Sequence, residues 1–197
     1  MDFLLKTWGI SLTTDTTAKL IYFYIGTGDN CKSTVRKLLA GLCGDFATSL
    51  NKDILVRRKG DAGKATTELQ SLVKARISFS DELGVSDILV CEKIKELTGE
   101  TPICFRGLYK NQMRNFNHYC TLSLNCNNLP KLDALDNATK NRLCFIPCDK
   151  QWRSSPDLNL VDVDCLGNKY KKQLRRDPEQ AKLLMEQDGF DALFTMI

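Results

Sequence analysis

The feature that most constrains the fold is an uninterrupted apolar and aromatic run at residues 20–25, Leu-Ile-Tyr-Phe-Tyr-Ile, which a glycine-rich segment follows directly. Such a run, without polar alternation, is typical of a strand buried on both faces, as in a parallel sheet. Residues 33–43 then place Val35, Leu39 and Leu42 at the spacing of an amphipathic helix. The sequence therefore predicts a strand, a tight loop and a helix in immediate succession.

The rest of the chain alternates strand-like and helix-like segments, which predicts an α/β fold with a mostly parallel central sheet flanked by helices. A basic stretch between two β-prone runs adds a β-hairpin insertion, and a small helical C-terminal segment is expected. We divide the chain into a lead-in (1–19), a core (20–150) and a basic C-terminal segment (151–197). The expected helices are 66–75, 87–97, 178–184 and 190–196, the expected strands are 76–82, 119–124 and 143–147, and the hairpin runs are 103–109 and 116–121, on either side of the tip 110–115.

Composition excludes several classes of protein. The apolar run at 20–25 is far shorter than the ~20 residues of a membrane helix, and the start of the chain lacks a basic leader with a long apolar core. Nine cysteines without a C-x-x-C pair, with His118 as the single histidine, argue against a zinc site. Their apolar surroundings favour reduced thiols, so we expect a reducing cytoplasmic or nuclear location and no secretion or membrane anchoring.

The glycine-rich segment between the predicted strand and helix has the character of a phosphate-binding loop. In such a loop, backbone N–H groups and the helix N-terminus surround the phosphate, a lysine reaches the β- and γ-phosphates, and a hydroxyl ligates magnesium. Lys32 and Ser33 are placed for the last two roles, whereas Cys31 stands where glycine is usual and adds a Cβ that strains the loop. The candidate nucleotide-binding residues are Gly26, Thr27, Gly28, Asp29, Asn30, Cys31, Lys32, Ser33 and Thr34.

Four further polar residues follow or precede predicted strands. Asp81 and Glu82 end the strand at 76–82, where a carboxylate can hold magnesium and its neighbour can polarise the attacking water. Asn127 can position that water, and an arginine such as Arg142 can stabilise charge that develops on phosphoryl transfer. Taken alone, Asn127 is an ordinary turn residue and Arg142 an exposed cation, so their order along the chain carries the argument.

That order resembles the helicase domain of the superfamily 3 helicases, and more narrowly the poxvirus-type and phage-type primase-helicases of large DNA viruses and mobile elements. The similarity covers residues 20–147. It rests on six motifs: Gly26-Thr-Gly-Asp-Asn-Cys-Lys-Ser-Thr, Ser80-Asp-Glu, Ile94-Lys-Glu-Leu-Thr-Gly99, Phe105-Arg-Gly-Leu-Tyr109, Asn125-Cys-Asn-Asn-Leu-Pro130, and Asp136-Asn-Ala-Thr-Lys-Asn-Arg142 with Ile146-Pro147.

The resemblance implies a P-loop NTPase of the AAA+ type that hydrolyses ATP with Mg²⁺, assembles as a homo-oligomeric ring, usually a hexamer, and translocates on single-stranded DNA at a fork. A primase domain or another replisome protein is a further implied partner, and the site of action is an infected host cell. Lys32 and Ser33 match the Walker A lysine and hydroxyl, and Asp81 and Glu82 the Walker B acids, so Ser33 and Asp81 are the implied magnesium ligands. Asn127 matches the sensor asparagine, Arg142 the arginine finger, and Arg106, Lys110 and Arg114 the DNA contacts of the hairpin.

Two other functions stay open on the sequence. Because Cys31 replaces the usual glycine, the chain also fits a catalytically impaired ring subunit that binds DNA or neighbouring subunits without turnover. A phosphate loop on a chain of 197 residues is, in addition, typical of small P-loop nucleotide kinases. Such a kinase needs lid arginines in the same chain, for which Arg57 and Arg58 are the loosely clustered candidates. The formal net charge of +4 permits nucleic-acid binding and does not decide between these functions.

Overall fold

The computed structural model describes residues 2–57, 67–80, 82–106, 112–163 and 169–186. Its α-helices are α1 (Asp2–Leu12), α2 (Lys32–Cys43), α3 (Cys91–Leu97), α4 (Asn137–Lys140) and α5 (Pro178–Leu183), and short 3₁₀ helices cover Gly44–Phe46, Lys52–Ile54 and Thr67–Leu72. Its strands are β1 (Ile21–Ile25), β2 (Ala47–Leu50), β3 (Ile77–Ser80), β4 (Ile88–Leu89), β5 (Ile103–Arg106), β6 (Met113–Phe116), β7 (Thr121–Cys126), β8 (Lys131–Leu132), β9 (Leu143–Pro147), β10 (Gln151–Arg153), β11 (Val161–Val163), β12 (Lys169–Lys171) and β13 (Gln173–Arg175).

The central sheet has five parallel strands in the order β2-β3-β7-β1-β9. Strand β1 lies near its middle, and its last residue, Ile25, is in register with Cys126 of β7 and Pro147 of β9. Because all five strands run the same way, the segments that follow them emerge at one edge, which we call the carboxyl edge. The predicted α/β fold with a mostly parallel central sheet is confirmed.

Both faces of β1 are buried, as its apolar run predicts. Ile21 and Phe23 are fully buried in the larger core cluster, together with Leu122 and Leu124 of β7. Tyr22 and Tyr24 point the other way and join a cluster that includes Ile146. Full burial of each large apolar side chain contributes about 1.5–3 kcal/mol, which explains why this strand needs no polar face.

Helices α1 and α2 cover the face of the sheet that carries the two tyrosines. Leu39 of α2 packs on Phe79 of β3, and Trp8 of α1 joins the same cluster. The indole Nε1 of Trp8 donates a hydrogen bond to the Tyr24 hydroxyl over 3.2 Å. Burial raises the pKa of Tyr24 to about 12, so this phenol stays protonated. Helix α1 lies within residues 1–19, the lead-in for which the sequence predicted no helix.

The hairpin differs from its prediction in where its second strand lies. Strand β5 pairs antiparallel with β6 (Met113–Phe116), so the second half of the predicted charged tip, residues 113–115, is strand. The second β-prone run, 116–121, instead contributes Thr121 to β7. Phe116 contacts Phe105 edge to face, with ring centroids 5.6 Å apart. Phe105 is buried in the core, so this aromatic contact favours the pairing of β5 with Met113–Phe116 over a pairing with residues further along the chain.

Two predicted helices need correction. The helix expected at 66–75 is a 3₁₀ helix over Thr67–Leu72. The helix expected at 87–97 begins at Cys91, because Ile88–Leu89 forms β4 and pairs with β8. In the second case a pairing distant in sequence decides the local structure, and the helical spacing of apolar residues does not reveal it.

Among its described residues, the C-terminal segment has four short strands that the sequence did not predict, in addition to a helix. Strand β10 pairs parallel with β13, and β11 pairs antiparallel with β12. Helix α5 confirms the helix expected near 178–184, and the helix expected at 190–196 lies outside the described residues. The eight cysteines within the described ranges are free thiols, and Cys165 lies outside them. Within those ranges, no helix has both the length and the apolar character needed to cross a bilayer.

Candidate functional site

The glycine-rich loop leaves β1 at the carboxyl edge and curls into the N-terminus of α2. Gly28, Asp29 and Cys31 have positive φ angles of 107°, 54° and 61°. Cys31 is the N-cap of α2, and its side chain makes no capping hydrogen bond. The first turn of α2 also carries no acidic residue. An uncapped helix N-terminus with a positive dipole end is a suitable place for an anion.

The Asn30 side chain holds the loop in place through hydrogen bonds on both sides of its amide group. Its Oδ1 accepts a hydrogen bond from the backbone N–H of Gly28 over 3.0 Å, and its Nδ2 donates to the carbonyl oxygen of Cys148 over 2.7 Å. The Lys32 ammonium donates to Asn30 Oδ1 over 3.0 Å and to the Gly26 carbonyl oxygen. A Cβ at Gly26 would overlap the Asn30 amide, so glycine is required there for a steric reason.

The residue before Lys32 carries the strain that the sequence predicts. Cys31 is left-handed, at φ 61° and ψ 10°, a conformation that a residue with a Cβ adopts at a cost. Burial raises the pKa of its thiol, while the Thr34 side chain and the positive charge of Arg176 lower it. The Cys31 side chain therefore lies within the electrostatic reach of Arg176, a residue of the C-terminal segment.

Glu82 lies at the carboxyl edge, where its charge and that of Lys32 act on the same buried thiol. The pKa of the Cys126 thiol is raised to about 12, mainly by burial; the negative charge of Glu82 contributes to the rise, and the positive charge of Lys32 opposes it. Both charges therefore act on one buried thiol at the end of β7. Glu82 itself is exposed, and the preceding Asp81 lies outside the described residues.

A lysine at the end of β2 fixes the loop that carries Glu82. Lys52 Nζ donates to the Glu82 carbonyl oxygen over 3.0 Å and to Asp87 Oδ2 over 2.8 Å. The same carboxylate oxygen of Asp87 accepts from the backbone N–H of Gly84 over 2.7 Å. Lys52 could not be identified from the sequence, because no local motif marks a lysine whose partners lie 30 and 35 residues away.

Asn127 follows β7 directly at the carboxyl edge and is exposed. Since Cys126 is in register with Ile25, Asn127 is level with Gly26, where the loop begins. Strand β7 lies between β1 and β3, so this amide stands between the loop and the acidic segment that follows β3. The structure thus brings Lys32, Glu82 and Asn127 to one edge of the sheet.

Arg142 lies at the opposite edge. It precedes β9, and its carbonyl oxygen accepts from the backbone N–H of Ile21, the first residue of β1, over 2.8 Å. Its Nη1 donates to the carbonyl oxygen of Ala138 over 2.7 Å. Its Nε is buried and finds no hydrogen-bond partner among the described residues. The length of β1, roughly 16 Å for five residues, separates Arg142 from the loop of its own chain.

The predicted DNA contacts of the hairpin lie on different faces. Arg106 is in register with Met113, and Arg114 with Phe105. Because successive strand residues point to opposite faces, Arg106 shares the outer face with Met113, and Arg114 originates on the face of buried Phe105. Both arginines are exposed, and Lys110 lies outside the described residues.

The side chains at this edge that could ligate a metal ion are mainly oxygen ligands. Ser33 presents a hydroxyl at the start of α2, and Glu82 presents a carboxylate after β3. Within the described ranges, no group of three or more His, Cys, Asp or Glu side chains is arranged to hold a metal by itself. Such an edge fits Mg²⁺, which commonly takes one or two protein oxygens and completes its shell with water and phosphate oxygens.

The fold and the site define an α/β protein with a glycine-rich, lysine-bearing loop at the end of a parallel strand. No family model matches the chain. It is 28% identical over 137 residues to "Putative helicase 022R" of Frog virus 3, covering 68% of this chain and 14% of that protein. It is 29% identical over 136 residues to "Primase D5" of Fowlpox virus, covering 66% of this chain and 17% of that protein. The chain therefore spans less than a fifth of each of these relatives.

One solved structure extends the likeness over nearly the whole chain. The apo structure of the NrS-1 C-terminal region matches 95% of this chain and 40% of that chain, with a TM-score of 0.57 and 12% sequence identity. At that identity the likeness shows the fold alone. Together, the comparisons show that this chain is homologous to proteins named helicases and primases of large DNA viruses and has a known α/β fold.

Proposed function

We propose that this chain is the ATP-driven motor domain of a superfamily 3 DNA helicase that acts in viral or mobile-element DNA replication. The proposal rests on one observation: Lys32, Glu82 and Asn127 lie at the same edge of the sheet. They follow the neighbouring strands β1, β3 and β7, respectively. The names of the homologous viral proteins point to the same activity.

In this proposal the loop binds the phosphates of ATP. The N–H groups at the start of α2 surround the phosphate oxygens, and the Lys32 ammonium leaves the Asn30 and Gly26 oxygens to reach the β- and γ-phosphates. Ser33 and Asp81 hold Mg²⁺, which neutralises charge on the phosphate oxygens. Glu82 polarises the attacking water, and Asn127, level with Gly26, orients it.

Assembly and DNA binding complete the proposed motor. An AAA+ ring, a hexamer in this proposal, brings Arg142 to the ATP of the neighbouring subunit, since Arg142 is remote from the loop of its own chain. The hairpin of β5 and β6 contacts single-stranded DNA in the ring's channel, with Arg106 on its outer face as the main described phosphate contact. A primase domain or another replisome protein is the further proposed partner.

Steady-state release of inorganic phosphate from Mg-ATP, with and without single-stranded DNA, tests this proposal. We expect DNA-stimulated hydrolysis by the wild-type chain, and at least a hundredfold loss in Lys32→Ala and Glu82→Gln, because each removes electrostatic stabilisation or water activation. Lys37→Ala, an exposed lysine on α2 after the loop, is the matched control and should keep wild-type activity. Equal rates in wild-type and Lys32→Ala would contradict the proposal.

One observation favours a second candidate, a ring subunit with impaired hydrolysis. Cys31 holds its left-handed conformation with a Cβ, next to the backbone N–H groups that must face the phosphate. In this candidate the chain binds ATP and DNA but turns over slowly, and Cys31→Gly raises the rate at saturating ATP. A wild-type rate that Cys31→Gly leaves unchanged would discard it.

A further inference from the structure

Lys52 lies beside Glu82 because the strands that precede them are paired. Leu50, the last residue of β2, is in register with Ser80, the last residue of β3. Lys52 and Glu82 each lie two residues beyond that pair, so the two segments leave the carboxyl edge level with each other. The Lys52 ammonium joins them, since it donates to the Glu82 carbonyl oxygen over 3.0 Å. The register of the sheet therefore determines this contact.

Asp87 holds the Lys52 ammonium in place. Its Oδ2 accepts from Lys52 Nζ over 2.8 Å and from the backbone N–H of Gly84 over 2.7 Å. The backbone N–H of Asp87 donates in turn to the Gly84 carbonyl oxygen over 3.1 Å, which closes a tight turn just after Glu82. The Lys52 and Asp87 side chains are only 26% and 21% exposed, so solvent screens this ion pair less than it screens an open surface pair.

The backbone on both sides of this ion pair is itself fixed. Just beyond the pair, the N–H of Val90 donates to the Leu55 carbonyl oxygen over 2.8 Å. On the other side of the loop that carries Glu82, the N–H of Leu83 donates to the Asn125 carbonyl oxygen of β7 over 3.4 Å. Ion pairs between mobile side chains contribute little, because ordering both side chains costs entropy. A pair on fixed segments has less entropy to lose and can hold the loop in one position.

We propose that Lys52, held by Asp87, is a positioning residue for ATP hydrolysis, which fixes the main chain of Glu82 so that its carboxylate meets the attacking water. This inference rests on the function proposed above, in which Glu82 polarises that water. The hydrogen bond from Lys52 engages the Glu82 carbonyl oxygen, so it leaves the carboxylate available for the reaction. A shift of about 1 Å in such a group lowers the rate by on the order of a hundredfold.

The place of the ion pair predicts which kinetic constant it controls. In the sheet order, β2 is three strands away from β1, roughly 14 Å at the usual spacing of strands, and the phosphate loop follows β1. Loss of the Lys52 ammonium should therefore lower the rate at saturating ATP and leave the affinity for ATP unchanged.

Single-turnover hydrolysis of Mg-ATP by the full chain, with equilibrium binding of a fluorescent non-hydrolysable ATP analogue, tests the inference. The variants are Lys52→Met, Lys52→Arg, Asp87→Asn and Glu82→Gln. Lys93→Met is the matched control, because Lys93 makes an ion pair of 2.7 Å with Glu96 on α3 and is 44% exposed. We expect Lys52→Met to lower the hydrolysis rate at least about tenfold and to change the affinity by less than about twofold. Lys52→Arg keeps the charge and should keep most of the rate, and Lys93→Met should match wild type.

A double variant gives a readout that a merely structural lysine would not move. If Lys52 acts through Glu82, then Lys52→Met should cause less than about twofold further loss of rate in a Glu82→Gln background, because the two residues act as a unit. Losses that multiply in the double variant would overturn the inference.

The outcomes separate this inference from the proposed function. If the wild-type chain does not hydrolyse ATP, or if Glu82→Gln hydrolyses it as fast as wild type, both fail. If Glu82→Gln loses activity while Lys52→Met matches Lys93→Met, the inference is overturned and the proposed function stands. Equal losses of affinity and rate in Lys52→Met, with a lower thermal midpoint, would reduce Lys52 to a structural role and also overturn it. Where Lys52→Met does not fold, Asp87→Asn replaces it under the same criteria, since asparagine keeps an acceptor for the N–H of Gly84 and removes the charge that holds Lys52.

Discussion

Cys31 is the residue at which local structure and proposed chemistry conflict most. Its φ of 61° is the left-handed conformation that glycine adopts at little cost, whereas a Cβ there costs about 1–2 kcal/mol. The loop keeps this conformation because neighbouring contacts hold it. The N–H of Val35 donates to the Cys31 carbonyl oxygen over 2.9 Å, and Asn30 is bonded to both Gly28 and Cys148.

Cys31→Gly should therefore stabilise the folded chain. We expect a gain of about 1 kcal/mol in the free energy of unfolding, or ~2–4 °C in the thermal midpoint for a chain of this size. Cys31→Ala is the matched control, because it removes the thiol and keeps the Cβ, and it should give no gain. A gain as large in Cys31→Ala would attribute the effect to the thiol and remove backbone strain as the explanation.

His118 makes folding sensitive to mild acid. Its side chain is 7% exposed, and its Nε2 finds no hydrogen-bond partner among the described residues. Burial lowers its pKa from 6.5 to about 4. Between these values the unfolded chain binds a proton that the folded chain does not, so stability is complete above pH 6.5 and falls as the pH drops toward 4.

We expect the wild-type chain to lose on the order of 2 kcal/mol of unfolding free energy through His118 between pH 7 and pH 5. Urea denaturation at the two pH values measures this loss. His118→Gln should lose correspondingly less, because glutamine does not titrate and the chain has no other histidine. An equal loss in the variant and the wild type would assign the pH dependence to other groups.

Among the elements, those specified by a continuous apolar run could be predicted, and those specified by a distant partner could not. Strands β1 and β9 and helix α2 lie within one or two residues of their predicted positions, because their own side chains supply the burial. The two-residue strand β4 and the ribbon of β10 and β13 exist only through pairing with distant segments. The edge that gathers Lys32, Glu82 and Asn127 could be predicted from strand order, whereas the Asn30–Cys148 contact, 118 residues apart, had no local signal.

The hairpin shows how an element's register decides which side chains can act together. Arg106 lies on the outer face with Met113, which is 61% exposed, and Arg114 lies opposite buried Phe105. A DNA strand that follows the outer face meets Arg106 directly and approaches Arg114 only across the edge of the hairpin. The two arginines are therefore unequal, although the sequence presents them as equivalent.

Arg106→Gln should reduce the salt dependence of single-stranded DNA binding, lowering the slope of log affinity against log salt by about 0.7, as for the loss of one phosphate contact. Arg114→Gln, the same change one strand away, is the control and should keep the wild-type slope. Fluorescence anisotropy of a labelled oligonucleotide at several salt concentrations gives both slopes. The reverse result, with only Arg114→Gln altering the slope, would place the DNA on the other face.

At the scale of the whole molecule, the two ends of the parallel sheet have different proposed roles. The carboxyl edge carries the loop, Glu82 and Asn127, and the opposite edge carries Arg142. Arg142 lies roughly 16 Å, the length of β1, from the loop of its own chain, well beyond the reach of an arginine side chain. A role in hydrolysis therefore requires a second copy of the chain, arranged so that the amino edge of one subunit meets the carboxyl edge of the next.

Mixing two inactive variants tests this arrangement. Lys32→Ala and Arg142→Ala should each be inactive alone, because every site lacks either its lysine or its arginine. In a randomly mixed equimolar ring, about a quarter of the sites pair an intact loop with an intact Arg142 from the neighbour, so we expect about a quarter of the wild-type ATPase rate. Mixing Lys32→Ala with the Lys32→Ala, Arg142→Ala double variant is the control and should restore nothing, because no intact loop is present. If the first mixture also stays inactive while sedimentation shows mixed rings, Arg142 acts only within its own chain, where its bond to Ala138 makes it a structural residue of the α4–β9 turn.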